Sequence, residues 1–144
     1  VEISANNRHG YLHLEREWDS GDVVAIDFPM TVQRVRAHPR VNHDVGCVAL
    51  QRGPLVLCVE EIDHGDQLGL LRLPKTSQFT ERFDSDLLGG TMVIEAAAER
   101  LKPVNDELYS SAEPEVTLTQ IKAVPYCLWN NRGEGEMRVW IRES

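Results

Sequence analysis

No part of this chain sustains an apolar pattern with the 3.6-residue period of an amphipathic helix. Short runs instead alternate apolar and polar residues with a period of two, or are apolar throughout. Gly, Pro, Asn and Asp cut them off every few residues. A chain written this way can bury its apolar faces only by pairing strands and stacking sheets. The expected fold is therefore all-β, an antiparallel β-sandwich of jelly-roll type. With 144 residues it is one domain, or one domain with a piece of another, and long enough to bury a substantial core.

The runs can be placed individually. In "YLHLEREW" Leu12, Leu14 and Trp18 share one face of an extended segment, with Tyr11, His13, Glu15 and Glu17 on the other. "DSGD" then offers Gly21 for a turn, and "VVAIDFPM" lines up Val24, Ile26, Phe28 and Met30. These two runs read as a hairpin that ends near Pro29, which has no N–H to donate. "TVQRVRAHPRVNHDVG" is polar and Pro-broken, and places a division near residues 38–46. In "CVALQRGPLVLCVEEID", Gly53 and Pro54 turn the chain between two β-rich halves. The run "PLVLCV" predicts a strand buried on both faces.

Beyond residue 63 the pattern thins. "LGLLRLP" reads as a short strand, and "SQFTERFDSDLLGG" as turns around scattered Leu and Phe. Ala96, Ala97, Ala98 and Glu99 favour helix by propensity, but "TMVIEA" after Gly-Gly favours strand, and strand is the expectation. "KPVNDELYSSAEPE" reads as a loop. "VTLTQIKAVPYCLW" alternates through Val116, Leu118 and Gln120 before Pro125, and "MRVWIRES" alternates Met137, Val139 and Ile141 against Arg138, Trp140 and Arg142.

Charge and cysteine usage exclude several roles. A net charge of −8 with scattered basic residues argues against binding nucleic acid. No run approaches the roughly 20 apolar residues of a membrane-spanning helix, and no secretory leader pattern is present. Cys47, Cys58 and Cys127 are an odd, widely spaced set. Reduced thiols in a cytoplasmic compartment are expected rather than a disulfide framework.

Candidate sites are few. His38, His43, Asp44 and Cys47 fall within ten residues, but their spacing matches no zinc module. Cys58 and Cys127 sit in apolar runs, where a thiol behaves as a small hydrophobe. Glu60 and Glu61 are adjacent, so in a strand they face opposite ways and cannot flank one glycosidic bond. Asp84 and Asp86 read as solvated turn residues. "WNNRGEGEMRVW" places Trp129 beside Asn131 and Arg132, the residue types of a sugar platform. Gly133, Gly135, Asn130 and Asn131 equally suit the last hairpin of a sheet, with the tryptophans packed across strands. The hairpin is favoured, no residue is assigned to catalysis, cofactor or metal, and sugar binding is weighed against.

Three stretches carry a family likeness, in order along the chain. "GYLHLEREWDSGDVVAIDFPM" (10–30), "VALQRGPLVLCVEEID" (48–63) and "AVPYCLWNNRGEGEMRVWI" (123–141) resemble the carboxy-terminal region of the β-L-arabinofuranosidases of glycoside hydrolase family 127. The likeness is thin over residues 64–115. It implies that catalysis belongs to an upstream (α/α)6 barrel, where a cysteine thiolate beside a zinc ion cleaves the glycoside with retention. It also implies β-sandwich domains downstream of that barrel. Cys47, Cys58 and Cys127 match none of that family's metal-binding cysteine motifs and take no catalytic role. On this likeness, residues 1–38 are the terminal strands of a preceding sandwich and 39–144 the carboxy-terminal one. The chain is then a non-catalytic portion supporting its own upstream catalytic domain, with zinc confined to that domain. The alternatives are a carbohydrate-binding module on Trp129, Asn131 and Arg132, or an oligomerisation domain whose open strand edges pair between copies.

Overall fold

Residues 6–144 are described by the computed structural model, and the regular elements among them are strands apart from four short helical turns. The first five residues of the expected 1–38 segment lie outside the described residues.

β1 (Asn6–Arg8) and β2 (Tyr11–His13) form a small hairpin of their own. His9 and Gly10 turn it, both at positive φ, as a two-residue loop between right-twisted strands requires. The larger hairpin expected between residues 11–18 and 23–30 does not form, because β2 stops at His13 and residues 14–31 contain no strand. Its turn is nevertheless present: the Asp22 amide donates to the Asp19 carbonyl over 3.1 Å and Arg16 pairs with Asp22 at 3.0 Å. What is missing is a surface for the arms. Trp18, Val24, Ile26 and Phe28 all remain exposed, and a hairpin without a face to pack on is barely stable. Met30 is where the chain reaches the main body, with its thioether lying against Gly53.

The nine remaining strands make one closed system. β3 (Val32–Val35) pairs along its length with β4 (Cys47–Arg52), so it shares a sheet with residues beyond the division expected near 38–46. Gly53, at φ +54°, and Pro54 turn the chain into β5 (Leu55–Glu60), as expected. The two arms stay paired for only two residues, Gln51 with Val56 and Arg52 with Leu55. They then part into opposite layers.

The first layer joins β4 to β11 (Ile141–Glu143), and β11 to β6 (Leu71–Leu73). The β6–β11 pairing is parallel, whereas every other pairing is antiparallel. The second layer carries β10 (Met137–Arg138), β5, β9 (Glu115–Pro125), β8 (Thr91–Lys102) and β7 (Phe79–Asp84) side by side. β6 also pairs with β8 through Leu71 and Arg72, which closes the layers at the far side. The result is an all-β sandwich.

Period-two alternation fills the space between the layers. Val48 and Leu50 of β4, Leu57 and Val59 of β5, Ile94, Ala96 and Ala98 of β8, and Ile121 and Ala123 of β9 all point inward. Leu68, Leu71, Leu73 and Ile141 complete this core. A smaller cluster, Cys58, Val93 and Val124, lies on the outer face of the second layer under Leu87, Met137 and Val139. β5 is therefore buried on both faces, as its unbroken apolar run requires. The alanine run of β8 is strand because two of its three alanines are core positions opposite Ile121 and Thr119, and packing overrides helix propensity.

β7 was not anticipated as a strand. It is an edge strand on β8, and "FTERFD" carries the charges that keep an edge from pairing further, which hides its alternation in the sequence. β8 and β9 run together for nine paired residues into the expected loop, whose tip exposes Leu108 and Tyr109 almost completely.

Candidate functional site

The segment that raised the sugar-site question begins where Pro125 ends β9. Residues Tyr126–Leu128 form a single 3-10 turn, closed by the Trp129 amide donating to the Tyr126 carbonyl over 3.1 Å. Residues three apart eclipse in such a turn, so the Tyr126 and Trp129 rings come together. Their centroids lie 6.2 Å apart and their planes within 14°. Both rings are partly open to solvent, Tyr126 at 46% and Trp129 at 40%.

The hairpin expected after Trp129 is absent. β9 and β10 do not pair with each other: they flank β5 on either side, so residues 126–136 pass over the end of β5. At its Ala123 end β9 already has β5 on one edge and β8 on the other, so no edge of it is left there for β10, and charge holds the crossing segment in place. Glu60, the last residue of β5, is 4% exposed, and its carboxylate needs a cation and donors. Arg132 supplies them. Its Nε donates to Glu60 Oε2 over 3.2 Å, Nη2 bonds both Glu60 and Asp63, and Nη1 donates to Asp63 Oδ1 over 3.0 Å. The Asn130 amide donates to Glu60 Oε1 over 3.1 Å, with Asn130 in the left-handed region at φ 64°.

Asp63 lies in the short helix α1 (Glu61–His64) that follows β5, and it also accepts from Lys122 Nζ over 3.3 Å. Burial alone would push its carboxyl up. Arg132 and Lys122 outweigh that and hold it below the ordinary carboxylate range. Next to it, His64 Nδ1 is 2.7 Å from the Glu60 carbonyl, and Nε2 is 2.9 Å from the Lys122 amide nitrogen. An amide can only donate, so Nε2 is the acceptor and Nδ1 carries the proton. Burial pushes this imidazole below its usual range, in keeping with a neutral ring. The Cys58 thiol is pushed up to about 12, by burial first and by Glu60 second, which leaves it protonated and unreactive.

This cluster is chemically closed. A general acid must hold a proton near neutral pH, whereas Asp63 is held ionised by two cations and Glu60 is shut away from solvent behind Arg132. Glu60 and Glu61 turn to different partners, since Glu61 Oε2 accepts from the Glu136 amide over 2.7 Å. The pairing of Arg132 with Glu60 and Asp63 was not seen in the sequence. An acidic pair at the end of an unbroken apolar strand was the available signal, because such carboxylates require a buried cation.

The other candidate residues stay apart. His38 and His43 lie on the loop between β3 and β4, where His38 Nδ1 accepts from the Arg40 amide over 3.1 Å, while Cys47 is buried in β4. Among the described residues, no three His, Cys, Asp or Glu side chains gather to hold a metal ion. Asp84 pairs with Arg82 at 3.2 Å and accepts from the Asp86 amide, as surface turn carboxylates do. Of the three sugar-platform residues, Trp129 is open, Arg132 is occupied, and the Asn131 side chain donates from Nδ2 to the Leu128 and Trp129 carbonyls. No described helix is long and apolar enough to cross a membrane.

Comparison with known proteins fits this picture. The sequence profile of the glycoside hydrolase family 127 C-terminal domain matches residues 32–142. The non-reducing end β-L-arabinofuranosidase of Bifidobacterium longum subsp. longum is 38% identical over 133 residues, 86% of this chain and 20% of that enzyme. A family 127 β-L-arabinofuranosidase structure from Geobacillus stearothermophilus T6 superposes with a TM-score of 0.78 at 49% identity, covering 81% of this chain and 19% of that one. A family 127 β-arabinofuranosidase structure superposes with a TM-score of 0.85 at 33% identity, covering 99% and 22%. The chain thus spans about a fifth of the length of the relatives it matches. With its two most distinctive motifs inside the matched region, this chain belongs to glycoside hydrolase family 127, as that family's C-terminal domain.

Proposed function

We propose that this chain is the non-catalytic β-sandwich portion of a β-L-arabinofuranosidase-like glycoside hydrolase, and that it buries one face of an upstream (α/α)6 catalytic barrel. The observation that carries the reading is the open apolar row before β3. Tyr11, Leu12, Trp18, Val24, Ile26 and Phe28 are all between 49% and 74% exposed. A soluble surface does not ordinarily present so many large apolar side chains in one stretch of chain, and exposed apolar surface on this scale marks a contact with another body. The relatives supply that body, since four fifths of each lies outside the matched portion.

In this reading the part of residues 1–38 that precedes β3 carries the end of a preceding sandwich, the reactive thiolate and its zinc belong to the upstream barrel, and the chain works in a reducing, cytoplasmic compartment. Three unpaired cysteines, two of them buried, suit that compartment.

Co-expression with the coding region immediately upstream tests the reading. A stoichiometric complex on gel filtration is expected, and Ile26→Asp with Phe28→Asp should release it. Two components that elute separately would overturn the scaffold role. Turnover of an aryl arabinofuranoside by this chain alone would overturn its non-catalytic character.

A further inference from the structure

Part of β9 has an edge with which no described strand pairs. β8 runs along one side of β9 from Glu115 to Ala123, whereas β5 pairs on the other side only with Ala123, Val124 and Pro125. Peptide groups alternate in direction along a strand, and the Lys122 amide points away from β8, donating to His64 Nε2 over 2.9 Å. The N–H and C=O groups of Gln120, Leu118 and Val116 therefore point the same way. They lie beyond α1, and among the described residues no ladder takes them up.

Proteins ordinarily blunt such an edge with charge, proline, a bulge or a covering loop. β7, the edge strand on β8, carries Glu81, Arg82 and Asp84. β9 does the opposite. Its run "VTLTQI", residues 116–121, has no charge, no glycine and no proline, and is mostly β-branched. Ile121 and Ala123 point into the core, so Val116 and Leu118 stand on the outer face, 56% and 89% exposed. Open peptide groups on a segment of this composition are a template for another strand.

The edge is complementary to itself. Two copies of one strand edge run antiparallel about a two-fold axis, and such a contact closes at the dimer. Because the even-numbered residues carry the open peptide groups, an axis at Leu118 sets Leu118 opposite the same residue of the copy. Val116 then faces Gln120, and Thr117 faces Thr119. Aliphatic and Thr–Thr cross-strand pairs are favourable, and no like charges meet. The chain carries a net −8, so two copies approach with least repulsion along an uncharged strip. We propose that the free edge of β9, Val116–Gln120, pairs with the same edge of a second copy and joins the two second layers into one continuous sheet. The contact uses none of the residues assigned to the upstream body.

The test is sedimentation velocity of the 144-residue chain over a wide concentration range, with hydrogen exchange alongside. A contact confined to one strand edge is small, so a dimer with a Kd of about 10–100 µM is expected. Leu118→Lys sets two ammonium groups opposite each other and should weaken the dimer about tenfold or more. Leu118→Pro, which removes only the open N–H, should do the same. Both variants are checked for native circular dichroism, and Tyr109→Ser, at the exposed tip of the loop beyond β8, should leave the dimer unchanged. The amides of Val116, Leu118 and Gln120 should gain protection as the protein is concentrated, while those of Thr117 and Thr119, which face β8, stay protected throughout. A chain that is monomeric at every concentration overturns the proposal and leaves the scaffold reading intact. So does a dimer indifferent to both Leu118 substitutions. Protection of the three amides only on co-expression with the upstream region would assign the edge to that body and overturn pairing between copies.

Discussion

Replacing Arg132 by methionine tests the electrostatic lock most directly. The substitution keeps most of the apolar stem and deletes the guanidinium, and with it the bonds to Glu60 and Asp63. The side chains of Arg132, Glu60 and Asp63 are only 12%, 5% and 14% exposed, so water cannot replace what is lost. Asp63 keeps Lys122 at 3.3 Å and is partly compensated. Glu60 keeps a single amide, that of Asn130, and becomes an uncompensated buried carboxylate. Removing one partner of such a pair costs about 3–5 kcal/mol. For a domain of this size that corresponds to roughly 10–15 °C in Tm.

The assay is urea unfolding at pH 7, followed by tryptophan fluorescence and circular dichroism. The midpoint should fall while the m-value stays unchanged. Adding Glu60→Leu to Arg132→Met should recover part of the loss, because the stranded charge is then gone. Lys102→Met serves as the control. Its pair with Glu115 is 3.9 Å long with both side chains more than 60% exposed, and its loss should stay within about 0.5 kcal/mol. If Arg132→Met behaves like Lys102→Met, or if the double substitution is no better than the single, the lock is not what shapes this loop.

Two further outcomes are expected. His64 has a folded-state pKa below its unfolded value of about 6.5, so its contribution is fully present above that pH and is lost as pH falls toward the folded value. Urea midpoints should therefore decline from pH 7.5 to pH 5, and His64→Gln, which keeps a donor and an acceptor but cannot titrate, should flatten that slope. The cysteines should separate by accessibility. Iodoacetamide at pH 8 should add one label, at Cys127, to the native chain and three in urea, because Cys47 and Cys58 are buried and the Cys58 thiol is pushed up to about 12. Native labelling of Cys58 would contradict its place beneath Met137 and Val139.

The strands visible beforehand were those whose neighbours are supplied locally. "QRGPLVLCV" holds its own turn and its own apolar run, so both β4–β5 and the double-sided burial of β5 could be read directly. β7 could not, because an edge strand spends its alternation on charges. The run from Val24 to Phe28 misled for the opposite reason. Its alternation is real, but its apolar side chains stay exposed with no packed face to hold them, and no ladder forms. At the candidate site the aromatic character of Trp129 was legible and the occupation of Arg132 was not.

Periodicity and turn chemistry are local properties, carried by residues a few positions apart. By itself the sequence therefore decided the all-β class, the Gly53–Pro54 turn, the loop at 103–114 and the family. Which strand lies beside which, and which charge finds which, depends on contacts closed over long stretches of chain. Arg132 meets Asp63 across 69 positions and Glu60 across 72, and β6 finds β11 in parallel with Arg72 beside Arg142. Only the tertiary structure decided that the final aromatic segment crosses over β5 instead of folding back on β9, because β5 and β8 take both edges of β9 at Ala123 and the buried Glu60 carboxylate draws in Arg132.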